Sequence, residues 1–226
     1  MRASAARAWW WLVHKDLLRE WRAPRAWPAM VLVALTLAMI INVQIDLPER
    51  QLAQLAGGLF WLAVFFAGIV SLDRSFSGDS DQGCWQGVLG YPVGPGTLFL
   101  AKLAANFIGL CVVEMVLVPA FAILSGLSLL ADPARFLATA LAANFGFAAA
   151  GTLVSALTSN LAQRSGLLVL LLLPLVMPVV LGAVQATRSL LVGDPAAWWP
   201  WWQLLACFAA VFVTLGTLVF EFIIEE

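Results

Sequence analysis

Apolar residues in this chain come in long unbroken stretches, and short clusters of charged, Gly and Pro residues separate them. An α-helix needs roughly 20 apolar residues to cross a hydrocarbon layer of about 30 Å. Six stretches approach or exceed that length: residues 28–45, 52–72, 98–130, 136–158, 165–186 and 201–222. The pattern predicts an all-α membrane protein with six transmembrane helices, forming one transmembrane domain over residues 1–226. The third stretch is too long for one straight crossing. Pro119 and Gly126 near its far end predict a kink or a short re-entrant turn.

Residues 8–25 follow a different rule. Trp10, Trp11, Leu17, Leu18 and Trp21 fall largely on one side of a helical wheel, and His14, Lys15, Asp16, Arg19 and Glu20 occupy much of the rest, with Arg22 following. Such a segment reads as an N-terminal amphipathic helix lying in the membrane interface, with Trp rings at headgroup depth and basic side chains toward anionic lipid. It is also placed to act as an elbow that passes motion into the first span.

Composition sharpens the reading. The 226 residues are 62% hydrophobic and only 11% charged, with a mean hydropathy of +0.94, so a soluble domain would lack polar surface to cover it. Lys and Arg near span ends set orientation, because they resist translocation. With a cytoplasmic N-terminus, nine of the twelve lie inside (Arg2, Arg7, Lys15, Arg19, Arg22, Arg25, Arg74, Lys102 and Arg164) and three outside (Arg50, Arg135 and Arg188). Six crossings then place both termini in the cytoplasm, which for a bacterial chain means multi-pass insertion in the inner membrane.

Several kinds of chemistry are excluded by what the sequence lacks. The first 25 residues carry charges throughout, so no removable signal peptide is expected. Cys84, Cys111 and Cys207 are widely separated and read as small packing residues, with neither a disulfide framework nor a zinc spacing. His14 is the only histidine, leaving no nucleophile–base pair and no His-based metal site. No phosphate-cradling G-x-x-x-x-G-K-[ST] occurs. Asp79, Asp81 and Gly83 resemble the start of a calcium loop, but the third acid and the closing Glu are missing. A net charge of −1 offers nothing to a nucleic acid. Catalytic residues, bound metal and bound cofactor are therefore not expected, and any energy source comes from a partner or a gradient.

Two polar features stand out. The connection over residues 73–97 carries Asp73, Arg74, Phe76, Asp79, Asp81, Gly83, Trp85 and Tyr91. Loops longer than about 12 residues are usually functional or disordered, and the aromatics argue against disorder. A short helix at the cytoplasmic face that presents charge and aromatics to another protein fits this composition. Inside the membrane, Glu114 lies about 18 Å along a helix from Lys102, near the bilayer centre. An acid there is costly and marks a functional site or a buried polar contact. Asn106 sits two turns away on a similar face, and Asn144 and Gln185 offer amides in the fourth and fifth spans. Trp198 to Trp202, W-W-P-W-W, reads as an aromatic belt at the outer face.

Four segments together resemble the CcmB family, the permease B subunit of the cytochrome c maturation (haem exporter) ABC transporter. They are K-D-L-L-R-E-W-R at 15–22, L-D-R-S-F at 72–76 with downstream acids and Gly83, Tyr91-Pro92 with Lys102, and the apolar run from Arg164-Ser165-Gly166 through Pro174 to Pro178. The resemblance runs nearly end to end, although Cys84, Trp85 and Gln86 stand where the family commonly has Leu-Glu. It implies an ABC-2-type permease whose ATP is bound by a separate subunit, CcmA, docked on the 73–97 coupling loop. It also implies work alongside the haem-handling proteins CcmC, CcmD and CcmE, with haem as a transported or handled ligand. A homodimer and a heteromeric permease both stay open, and the haem-binding Trp motif of such a system is implied to belong to CcmC. The expected function is coupling of ATP hydrolysis to haem export or to release of a haem-loaded chaperone. The rival readings are a non-transporting scaffold and a proton-coupled carrier using Glu114.

Overall fold

A computed structural model of the chain describes residues 5–22, 26–44, 48–80, 94–127, 129, 132–158 and 164–225. All the regular structure among them is helical: α1 (Ala5–Arg22), α2 (Ala26–Gln44), α3 (Glu49–Ser80), α4 (Pro95–Ser125), α5 (Pro133–Leu157), α6 (Arg164–Val192), a 3₁₀ turn (Pro195–Ala197) and α7 (Trp198–Glu225). Among the described residues, five helices are long and apolar enough to cross a membrane, namely α3 to α7. The chain is therefore an all-α, multi-pass membrane protein.

Helix ends depart from the expected bounds for local reasons. α4 starts earlier, with Pro95 in its first turn, where a missing N–H costs nothing. It ends at Ser125 instead of running to residue 130, because Gly126 takes the left-handed conformation (φ 69°) and its N–H closes on the Ala122 carbonyl. Pro119 is accommodated within the helix, so the break falls at Gly126. Asp132 then caps α5 by accepting from the Arg135 N–H. α3 continues to Ser80, so the first third of the 73–97 connection is helical. α6 passes through both Pro174 and Pro178 and extends to Val192, six residues past the expected end at residue 186.

α5 is the hub. It packs against α3, α4, α6 and α7, and every residue from Gly146 to Ala156 is buried. A helix enclosed along such a stretch needs small side chains if its neighbours are to reach it, and G-F-A-A-A-G-T at 146–152 supplies them, while Leu137, Leu141 and Phe145 on the first half of α5 stay exposed. Large residues of the surrounding helices fill the space: Phe147 of α5 meets Phe65 of α3 edge-on at 5.7 Å, and Phe60 of α3 contacts both Phe121 and Phe136.

A second close approach joins α3 to α6. A Cβ built on Gly57 would sit 3.0 Å from the Val184 carbonyl oxygen and 3.4 Å from the Arg188 amide nitrogen, both backbone atoms. One turn on, the Trp61 indole donates to Thr187 Oγ1 at 2.9 Å. Gly57 thus sets the interhelical distance that this hydrogen bond requires. Gly57→Val is expected to push α3 from α6 and destabilise the fold by about 1–3 kcal/mol. Gly166→Ala, where nothing lies within 4 Å, should be neutral or slightly stabilising. Thermal unfolding of the two variants in detergent tests this, and equal melting temperatures would contradict it.

Candidate functional site

The polar groups of the membrane interior converge on the α4–α5 seam. Glu114 Oε2 accepts from Asn144 Nδ2 at 2.8 Å, and Asn106 Nδ2 donates to Thr152 Oγ1 at 2.9 Å. The two pairs are spaced by equal steps of eight residues along each helix, running in opposite directions, as an antiparallel pair requires. Glu114 is 7% exposed and Asn144 1%. Cys111, one turn before Glu114, brings its Sγ to 3.9 Å of Asn144 Nδ2. Glu114 Oε1 is buried and accepts no hydrogen bond from the protein.

This arrangement has a physical logic. In lipid, an acid or amide without a partner is costly, so facing polar groups pair and specify register. Asn144 also lines a small cavity between α3, α5 and α6, with Trp61, Val64, Phe65, Phe147 and Val179. Gln185, on α6, is half-buried.

The end of the seam near Asn106 carries a second cluster. Lys102 of α4 is 3% exposed, and its Nζ meets Asp16 Oδ2 of α1 at 3.1 Å. Lys15 Nζ lies 3.5 Å from the other oxygen of Asp16. The helix α1 therefore packs on α4 through an enclosed ion pair, a contact invisible to any local pattern because 86 residues separate its members. Ser155 Oγ, near the end of α5, donates to the Leu72 carbonyl at this same end. α1 itself is oriented differently from the expected wheel: Trp10 and Trp11 share the exposed side with His14 and Lys15, while Val13 is buried and Asp16 turns inward. Helical spacing by itself puts His14 and Lys15 beside Trp10 and Trp11, and the Asp16–Lys102 pair sets which side of α1 meets α4. Arg19, Glu20 and Arg22 lie on α1, but their side chains are outside the described residues.

At the opposite end, Trp198 is buried and donates to Thr139 Oγ1 at 2.9 Å. Arg135 sits 5.8 Å from the Trp198 ring centroid while bonding Asp132 at 3.1 Å. Trp202 stacks on Trp199 at 5.3 Å. The W-W-P-W-W run therefore opens α7 and anchors it to α5, with Trp199 left exposed. Of the expected partner-binding residues, Asp73, Arg74, Phe76 and Asp79 stand on the final turns of α3, and their side chains are outside the described residues. Asp81, Gly83, Trp85 and Tyr91 lie outside the described residues altogether.

The profile of the CcmB protein family matches residues 7–225, nearly the whole chain. The chain belongs to the CcmB family. It is similar to a heme exporter protein B from Pseudomonas aeruginosa, 34% identical over 171 residues and covering 74% of each chain. A heme exporter protein B from Bradyrhizobium diazoefficiens is 25% identical over 205 residues, 91% of each chain. The match to the CcmB profile includes α1 as well as all five long apolar helices, so both polar clusters fall within it.

The Glu114–Asn144 contact yields a direct test. Glu114→Leu and Asn144→Leu should each lower stability by about 0.5–2 kcal/mol, and the double variant should cost clearly less than the two added together. Glu114→Gln keeps an acceptor and should retain most of the stability. Equilibrium unfolding in mixed micelles measures all four, and strict additivity would show that the two side chains do not interact.

Proposed function

We propose that this chain is the membrane permease subunit of an ABC transporter serving haem export in c-type cytochrome biogenesis. The observation that carries the reading is the match of the CcmB profile over residues 7–225, together with similarity to relatives named heme exporter protein B. ATP is hydrolysed by a separate ATP-binding subunit, CcmA, since this sequence has no phosphate-cradling loop of its own. CcmC, CcmD and CcmE supply the haem-handling surfaces, and the step driven is haem export or release of a haem-loaded chaperone. The chain itself is not an enzyme.

The architecture under this reading is an ABC-2-type permease with six crossings in the inner membrane. α2 supplies the sixth: its 19 residues span about 29 Å at 1.5 Å per residue, close to the hydrocarbon thickness. The placement of Lys and Arg at the two ends of the bundle supports the orientation. Lys102 and the α1 helix lie at the end where α3 finishes and α4 begins, whereas Arg135 lies at the other. The basic end is cytoplasmic, and both termini lie there. The segment from Asp73 to Pro92, whose first residues to Ser80 stand on α3, docks on the ATPase and carries its motion into α3 and, through Leu72 and Ser155, into α5.

Three experiments test the proposal. Arg74→Ala together with Phe76→Ala should abolish co-purification with the ATP-binding subunit or coupled ATP hydrolysis; unchanged pull-down and turnover would remove this segment from the coupling role. Reporter fusions after Glu226 and within residues 47–51 should label opposite sides of the membrane, and same-side labelling would contradict the six-crossing topology. Glu114→Gln that assembles normally but fails in cytochrome maturation would favour the proton-coupled carrier instead.

A further inference from the structure

Two prolines divide α6, and the halves they separate have unlike attachments. An α-helix bonds each N–H to the carbonyl four residues back, so Pro174 and Pro178 leave the Leu170 and Pro174 carbonyls without that donor. Both openings lie on one face, because the prolines are four residues apart. Leu170, Pro174 and Pro178 are all exposed, so this face is turned away from α3, α5 and α7, the helices on which α6 packs. Beyond Pro178, the residues Val179, Ala183, Ala186, Thr187 and Ser189 are buried, and the Trp61 indole holds Thr187 at 2.9 Å. Gly57 sets backbone against backbone at Val184 and Arg188, and a Cβ on Gly182 would come within 3.1 Å of Leu204 and Leu205 of α7. Before Pro174 the burial thins to Leu168 and Leu172, one row spaced by four, which Val176 continues between the prolines. Residues 166–178 carry no polar side chain, so only dispersion contacts hold that half to its neighbours.

We propose that α6 is hinged at Pro174–Pro178: the half from Val179 to Val192 is fixed to α3 and α7, and the half from Arg164 to Leu173 swings toward and away from α3 and α5. Bending an intact helix strains or breaks backbone hydrogen bonds, which lipid does not replace. Bending at two successive missing bonds breaks none, and sharp helix bends accordingly fall at proline. The openings set the direction, since a helix flexes most readily by opening and closing the face that lacks bonds, and here that face is the outer one. Gly57, near the start of α3, meets the second half of α6, so Arg164 lies at the end of the bundle where α3 finishes and Lys102 holds α1. The hinge therefore lets that end change shape while the Trp61–Thr187 contact and the Trp-rich end keep their packing.

The test uses the full chain in lipid nanodiscs, with pairs of spin labels carried on unnatural amino acids so that the native cysteines stay in place. One pair, at Leu100 of α4 and Gly166 of α6, reads the Arg164 end; the other, at Leu124 of α4 and Leu181 of α6, reads the opposite half. All four positions are exposed. Gly166 stands about 18 Å before Pro178 at 1.5 Å per residue, so a swing of about 20° moves it by about 6 Å. Distance distributions from double electron–electron resonance should be wider by about that amount for the first pair than for the second. Pro174→Ala combined with Pro178→Ala returns both helical bonds and should narrow the first pair to the width of the second, each single variant doing so in part. Equal widths in the parent chain would overturn the proposal without recourse to any variant. A wide first pair that the double variant leaves unchanged would also overturn it, since loose packing and not the prolines would then move the helix.

Discussion

A carboxyl group in the middle of a hydrocarbon layer has to find a donor within its own protein, and Glu114 finds one on the facing helix. The Asn144 amide at 2.8 Å and the Asn106–Thr152 bond two turns away leave α4 and α5 one antiparallel register. Lipid gives apolar helices little reason to prefer one alignment over another, because tails are as apolar as leucine. Two polar pairs at matched spacing remove that freedom. Once α4 is aligned, Lys102 is fixed at one end of the bundle and with it the attachment of α1.

The second determinant is size. α5 can be central because its buried stretch is built from Ala, Gly, Thr and Ser apart from Phe147, Leu153 and Val154, and small side chains let neighbours approach where dispersion contacts carry association. Gly57 plays the same part between α3 and α6, where backbone meets backbone and the Trp61–Thr187 bond closes the gap. Burial in this bundle is therefore arranged opposite to a soluble core: the enclosed helix is small and partly polar, and bulky residues such as Leu170, Met115 and Ile123 face outward.

The bundle's two ends are chemically distinct. One carries an enclosed Lys–Asp pair that ties a surface helix to a span. The other carries Trp198 and Arg135 stacked at the start of α5 and α7. The Ser155 hydroxyl ties α5 to the Leu72 carbonyl of α3 at the α1 end, while the Trp-rich end holds α5 and α7 together.

The helical, membrane-spanning character of the chain was legible from length and apolarity alone, because a bilayer accepts few alternatives to a helix with every backbone group satisfied. Glu114, Asn106 and Asn144 were likewise conspicuous, since polar residues in apolar stretches are few. Their partners were not. Which amide meets Glu114, and the pairing of Asn106 with Thr152, depend on interhelical register, which no periodicity within a single helix encodes. The ending of α4 at Gly126 followed from a residue the sequence displays, yet a kink and a cap read alike until the φ angle is known. On α1 the helical spacing itself places His14 and Lys15 beside Trp10 and Trp11, which a ranking by polarity overlooks; that the Asp16 side meets α4 depends on a buried lysine 86 positions away, which no local pattern shows. Sequence determined the solvent, the elements and the candidate polar residues; tertiary structure decided the pairings, because those depend on distances between segments that only packing brings within reach.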